Sequence, residues 1–240
     1  MKNILIPTIL EEDTICAVRT AIAQLRGRQD HIVLMLLKEV PDTYSAAASL
    51  SNMNFTCTKE QQNVLSKCRK LFNDANSKLS IHYQFSISAP LLRNVMQHFD
   101  CSLVILTPSF RNSRERENRH LVKVLLKSKY PLLHLNSIQV QTLTNALYIE
   151  HKSSRFTVQE LQQMLNNTFN FRIISRTKVS DELSLHDANP IIAEAISHKQ
   201  IDLLVETRKV NQKVSAGQLT TPVLKFGVPV LSIYEEDLLN

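Results

Sequence analysis

Apolar positions change their period along this chain, and each change marks an element. Asn3-Ile4-Leu5-Ile6 is a short apolar run closed by Pro7-Thr8, which predicts a buried strand. Asp13 stands in an N-cap position ahead of Ile15, Val18, Ala21, Ile22 and Leu25, the spacing of a helix, and Gly27 suits its C-terminus. Residues 31–37 are continuously apolar, as in a strand covered on both faces. Residues 41–56 are small and polar and predict a loop. Over 59–79 the helical spacing returns through Val64, Leu65, Cys68, Leu71, Phe72 and Ala75. Ile81, Tyr83, Phe85 and Ile87 then alternate, as a strand with one wetter face does.

Residues 90–135 organise the rest. A helix is predicted over 90–99, then the strand Leu103-Val104-Ile105-Leu106, a break at Thr107-Pro108-Ser109, and a basic segment. Leu121, Val122, Leu125 and Leu126 restore helical periodicity before a last short strand, Leu132-Leu133-His134-Leu135. Strands separated by helices in this order predict a parallel sheet with right-handed crossovers and helices on both faces.

The pattern then begins again. Asn145-Ala146-Leu147-Tyr148-Ile149-Glu150 resembles the start of the chain. A helix is predicted over 154–165, a strand over 169–175, a helix from Pro190 with Asn189 as its cap, and strands over 201–206 and 228–233. Pro90-Leu91-Leu92 recurs as Pro190-Ile191-Ile192, and His98, Leu103, Ile105 and Thr107 as His198, Leu203, Val205 and Thr207, all at an offset of 100. Pro131-Leu132-Leu133 recurs as Pro229-Val230-Leu231. Such an ungapped match predicts an internal repeat. Asn145 lies 142 residues beyond Asn3, so the second copy is shorter by 42, about one strand, loop and helix.

Composition narrows the chemistry. The chain has 240 residues, 43% of them hydrophobic, which is enough for an ordinary core. No apolar run approaches membrane-spanning length, and Met1-Lys2-Asn3 leads straight into a strand pattern without a signal peptide. Cys16, Cys57, Cys68 and Cys101 form no CxxC and sit beside apolar residues, as small buried side chains in a reducing cytoplasm would. The net charge of +6 permits anionic partners without requiring them. Three glycines cannot build a glycine-rich phosphate loop, which needs backbone at close approach.

NILIPT at the start, SLVILT in the fourth strand and SKYPLLHL at the end of the first half, at this spacing, resemble the universal stress protein family. The whole chain resembles a tandem pair of such domains, with the second one degenerate. The implied fold class is α/β: two open, mostly parallel sheets flanked by helices and related by the repeat. The implied domains are 1–136 and a truncated 145–240, joined by a linker over 137–144. Many family members bind ATP through a G-x2-G-x9-G-[ST] loop after the fourth strand, and that motif fails here. Leu106 and Ser109 stand at the first two glycines, and Asn118 or Arg119 at the third. Ile9 stands where members usually carry an aspartate. In the second half Glu206 and Lys209 replace the first two glycines. The resemblance implies the fold and not ATP binding; no cofactor is expected.

Two surfaces compete for function. Arg111, Arg114, Arg116, Arg119, Lys123, Lys127 and Lys129, with His120, make residues 111–129 basic, and four of these share one helix face. An anion site for a nucleotide or other phosphorylated small molecule would draw on Thr107, Ser109, Arg111, Arg114 and Arg119. A solvated helix face is the plainer reading, because Glu115 and Glu117 interrupt the run. Nucleic acid is disfavoured, since no aromatic residues interleave the charges. The eight histidines show no HxH or HExxH spacing, so no metal site is expected. No G-x-S-x-G frames Ser109, and catalysis is disfavoured.

The favoured function is therefore a cytoplasmic, non-catalytic, stress-related binding or regulatory module with a protein partner of unspecified identity. The last strands of the two halves must be paired or covered. The family's habit of dimerising through them implies an intramolecular pseudo-dimer, with Leu133 and Leu231 antiparallel at the junction and His134 packed there with a hydrogen-bond partner. Further homo-oligomerisation stays open.

Overall fold

A computed structural model describes residues 3–24, 31–38, 57–73, 78–85, 87–136, 143–151, 154, 156–166, 169, 171–179, 185–208 and 226–235. Leu25, Gly27, Ala75, Lys209, the loop over 41–56 and most of the linker 137–144 lie outside the described residues. The first half runs β1 (Asn3–Pro7), α1 (Asp13–Gln24), β2 (His31–Leu37), α2 (Lys59–Asn73), β3 (Lys78–Gln84), α3 (Ala89–His98), β4 (Cys101–Leu106), α4 (Pro108–Arg111), α5 (Arg116–Leu126) and β5 (Leu132–His134). The second half runs β6 (Asn145–His151), α6 (Val158–Asn166), β7 (Arg172–Val179), α7 (Leu185–Lys199), β8 (Leu203–Arg208) and β9 (Val230–Tyr234).

Local chemistry moves several boundaries from where periodicity puts them. The helix expected over 59–79 ends earlier, because Lys78 and Leu79 already pair with His31 and Ile32 of β2. The helix expected from residue 154 starts at Val158. Thr157 and Glu160 form a capping box: the Thr157 N–H donates to Glu160 Oε2 at 2.9 Å, and the Glu160 N–H to Thr157 Oγ1 at 3.3 Å. Asn189 is not an N-cap, since α7 begins at Leu185 and Pro190 lies inside it. As the sixth residue of α7, Pro190 lies beyond the first turn and removes one intrahelical hydrogen bond. Asp13 also lies inside the first turn of α1 rather than capping it, and its carboxylate has another use, described below.

The strands make one nine-stranded sheet, in the order β3-β2-β1-β4-β5-β9-β8-β6-β7. The strands expected as two sheets are continuous because β5 and β9 pair antiparallel, with Leu132 opposite Ser232, Leu133 opposite Leu231 and His134 opposite Val230. Every other strand pair is parallel. The physical reason is the edge: a short apolar last strand carries a row of open N–H and C=O groups that need partners.

Alternation along the strands sorts the core. Leu133, Leu135, Leu231 and Ile233 point to a face where one apolar cluster runs unbroken across the junction, covered by α1, α2 and α6. The opposite face carries two clusters. Leu5, Val104 and Leu132 pack under α3, α4 and α5, and Leu204 and Val230 pack with Ile192 of α7. Between them, on that same face, stand His134, Ser232 and Glu206, all buried. Asp100 and Gln200, each just past a helix and before a strand, adopt φ of 49° and 50°. Glycine is the usual occupant of such a position.

Candidate functional site

The loop after β4 is where an open α/β sheet would hold a phosphate. Thr107 caps α4, accepting from the Phe110 N–H at 3.3 Å, and Pro108 supplies the first turn, where an N–H is not needed. The Ser109 N–H then points into the site and meets a carboxylate. It donates to Asp13 Oδ2 at 2.8 Å, while Ser109 Oγ donates to Asp13 Oδ1 at 2.7 Å. Asp13 is buried. The chain's own anion thus takes the place that a phosphate oxygen would need. The loop after β1 holds it there: the Thr8 and Thr14 hydroxyls are 2.6 Å apart, the Leu10 N–H donates to Thr8 Oγ1 at 2.8 Å, and Leu10 turns inward with φ of 61°. The polar groups beside Thr8, Thr107 and Ser109 are thus paired with one another and with Asp13.

Arg111 leaves this loop for the strand junction. Its Nη2 donates to the Leu135 carbonyl at 2.6 Å and to Asn136 Oδ1 at 3.3 Å, and Asn136 Nδ2 donates in turn to the Val228 carbonyl at 2.6 Å. Burial pushes the Arg111 guanidinium down to about 10, with Asp13 acting against that. From the other half, Arg208 donates to the carbonyls of Ser128 and Tyr130. Arg208 thus reaches across from the second half to backbone just before β5, while Arg111 ties the backbone just after β5 from within the first half. His134 lies in their combined field. Burial first, then Arg111 and Arg208, push its imidazole down to about 3. Among the described residues neither ring nitrogen has a hydrogen-bond partner, where one is expected from the sequence. Glu206 is the counterpart on β8: burial pushes its carboxyl up to about 7, against a hydrogen bond with Ser232 and the charge of Arg208.

The matching corner of the second half is also filled from within. Tyr148 Oη lies 2.6 Å from Ser154 Oγ, and Thr207 Oγ1 donates to Glu235 Oε1 at 2.9 Å. Thr207 and Glu235 are both buried.

The basic helix α5 presents a different surface. Leu121, Val122 and Leu125 face the sheet, which turns Arg116, Arg119, His120 and Lys123 outward. These four, with Glu117 and Ile87, line a cleft of about 420 Å³. Among the described residues, none of Arg116, Arg119 and Lys123 forms a salt bridge. Asn118, one of the two candidates for the third glycine position, is buried and turned inward, donating to Ser113 Oγ at 3.0 Å and to Glu115 Oε2 at 2.6 Å.

No family model matches the sequence, and no curated protein matches it. Solved structures do match the fold over nearly the whole chain. A universal stress protein from Archaeoglobus fulgidus DSM 4304 aligns with TM-score 0.57 at 12% identity, covering 97% of this chain and 96% of that one. A protein of unknown function from Pseudomonas aeruginosa PAO1 aligns with TM-score 0.55 at 12% identity, over 100% and 94%. A putative universal stress protein from Pseudomonas aeruginosa UCBPP-PA14 aligns with TM-score 0.52 at 13% identity, over 100% and 95%. The fold is that of the universal stress proteins.

Within that fold the five candidate anion-site residues do not converge. Thr107 and Ser109 serve the loop closed by Asp13, and Arg111 is spent on the junction. Arg114 is exposed beyond α4, and Arg119 lines the cleft. Asp13 is the residue that sequence reasoning missed. An acidic residue soon after the first strand was visible, but its helix-capping reading was locally sufficient. Cys68 and Cys101 offer no nucleophile, since burial pushes their thiols up to about 11 and about 12. Among the described residues no three His, Cys, Asp or Glu side chains form a metal cluster, and no helix is long and apolar enough to cross a membrane.

Proposed function

We propose that this chain is a non-catalytic, stress-related binding or regulatory module that works in the cytoplasm through protein contacts, with its nucleotide loop closed. The observation that carries this reading is the Asp13 carboxylate held by both donors of Ser109. A phosphate brought to that position would meet like charge, and displacing Asp13 would strand a buried carboxylate. The chain is a tandem of two units, 1–136 and 145–240, joined by 137–144 as an intramolecular pseudo-dimer. Several features support the tandem. Strand order mirrors itself about the β5–β9 pair, with five strands on one side and four on the other. The left-handed residues Asp100 and Gln200 fall at the repeat offset, and α7 leads into β8 as α3 leads into β4. The test is the purified protein itself. After denaturation, mass spectrometry of the released small molecules should show no stoichiometric nucleotide; a stoichiometric adenine nucleotide would end the closed-loop reading.

A further inference from the structure

We propose that the α5 cleft is the docking site for an acidic peptide segment of a protein partner, a proposal that rests on the reading of this chain as a protein-binding module. The cations stand in a row rather than around a point. Arg116, Arg119, His120 and Lys123 follow one face for two turns, so the row is about 10 Å long at 1.5 Å per residue. Compact phosphates are held by donors that converge on one centre, whereas carboxylates on successive turns or alternate residues of a peptide match a row spaced by helical turns. Glu117 lines the same cleft, and its charge opposes a small multiply charged anion sitting beside it. A peptide can direct its carboxylates at the cations and leave Glu117 to one of its own N–H groups. Among the described residues no Phe, Tyr or Trp lines the cleft, as stacking of nucleic-acid bases would favour. The exposed arginines and lysine are free of salt bridges among the described residues, so binding need break no internal pair.

The probe is an eight-residue, glutamate-rich peptide titrated into the full chain at low salt, with inorganic pyrophosphate as the competing probe. The expected result is saturable peptide binding that weakens steeply as salt screens it, and that falls about tenfold or more with Arg119→Glu or Lys123→Glu. Asp13→Ala should leave it unchanged, because the closed loop is a separate place. Circular dichroism checks that the charge reversals on this exposed face leave the fold intact. Absence of peptide binding, or binding indifferent to Arg119→Glu, overturns the proposal. Pyrophosphate binding that depends on Arg119 and displaces no peptide overturns it in favour of a small-anion site. Either failure leaves the Asp13–Ser109 closure standing, since that reading fails only if Mg-ATP binds in a Ser109-dependent way.

Discussion

Two polar regions within ten residues of each other reach opposite outcomes. At Ser109 each donor is answered by Asp13, from 96 residues away in sequence, and the pair is enclosed beside the core. At Arg119, on the outward face of α5, the charge stands in an open cleft among other cations. The first arrangement pairs its polar groups with one another inside the fold. The second leaves its cations facing an open cleft.

Both regions hang on the sheet that β5 completes, so the largest effect belongs to the junction. Leu133→Asp puts a carboxylate into the apolar cluster that crosses it, opposite Leu231. A loss of about 3–5 kcal/mol is expected, with the linker opened to protease. A variant that keeps its melting temperature and resists cleavage would show the halves held by another surface.

The next effect depends on pH. The Glu206 carboxyl sits at about 7 in the folded chain, above its ordinary 4.5. The folded state therefore holds the extra proton, and the stability from Glu206 is full below about pH 4.5 and lost as pH rises through about 7. Glu206→Gln should be the more stable protein at pH 8, by about 2 kcal/mol, and should lose that advantage by pH 4. His134 runs the other way: its imidazole, lowered from 6.5 to about 3, contributes stability above about pH 6.5 that is lost as pH falls toward 3. Denaturant unfolding of both proteins across this range is the check; parallel curves would mean that Glu206 is not buried as a titrating group.

The smallest effects sharpen the comparison directly. Asp13→Ala strands the Ser109 donors and should cost about 1–3 kcal/mol. Arg119→Ala, on the exposed face, should stay within about 0.5 kcal/mol of the wild type. Equal losses would erase the distinction between a closed loop and an open cleft.

The strands were legible because periodicity reports burial directly. The uniform apolar run of residues 31–37 is β2, buried through its middle, whereas the alternation through Ile81, Tyr83, Phe85 and Ile87 marks only part of the edge strand β3, which ends at Gln84 with Tyr83 exposed. Boundaries were less legible where one side chain decides them, as with Thr157 and Glu160 at α6. The failed glycine motif was plain from Leu106, Ser109 and Asn118 or Arg119. What replaced it was not, because the Asp13–Ser109 contact joins residues 96 apart and no local pattern announces it. Arg111 was legible as a cation but not as a buried tie to Leu135 and Asn136, since its direction depends on where β5 lies. His134 was placed at the junction by the edge-strand argument, yet its unpartnered nitrogens follow from side chains contributed by both halves.

Calorimetry of the purified chain with Mg-ATP examines the closed loop most directly. With Asp13 in place, the heats should match dilution alone up to about millimolar nucleotide, the range of non-specific binding. Micromolar binding that is lost on Ser109→Ala would place phosphate where Asp13 now lies and contradict the closure.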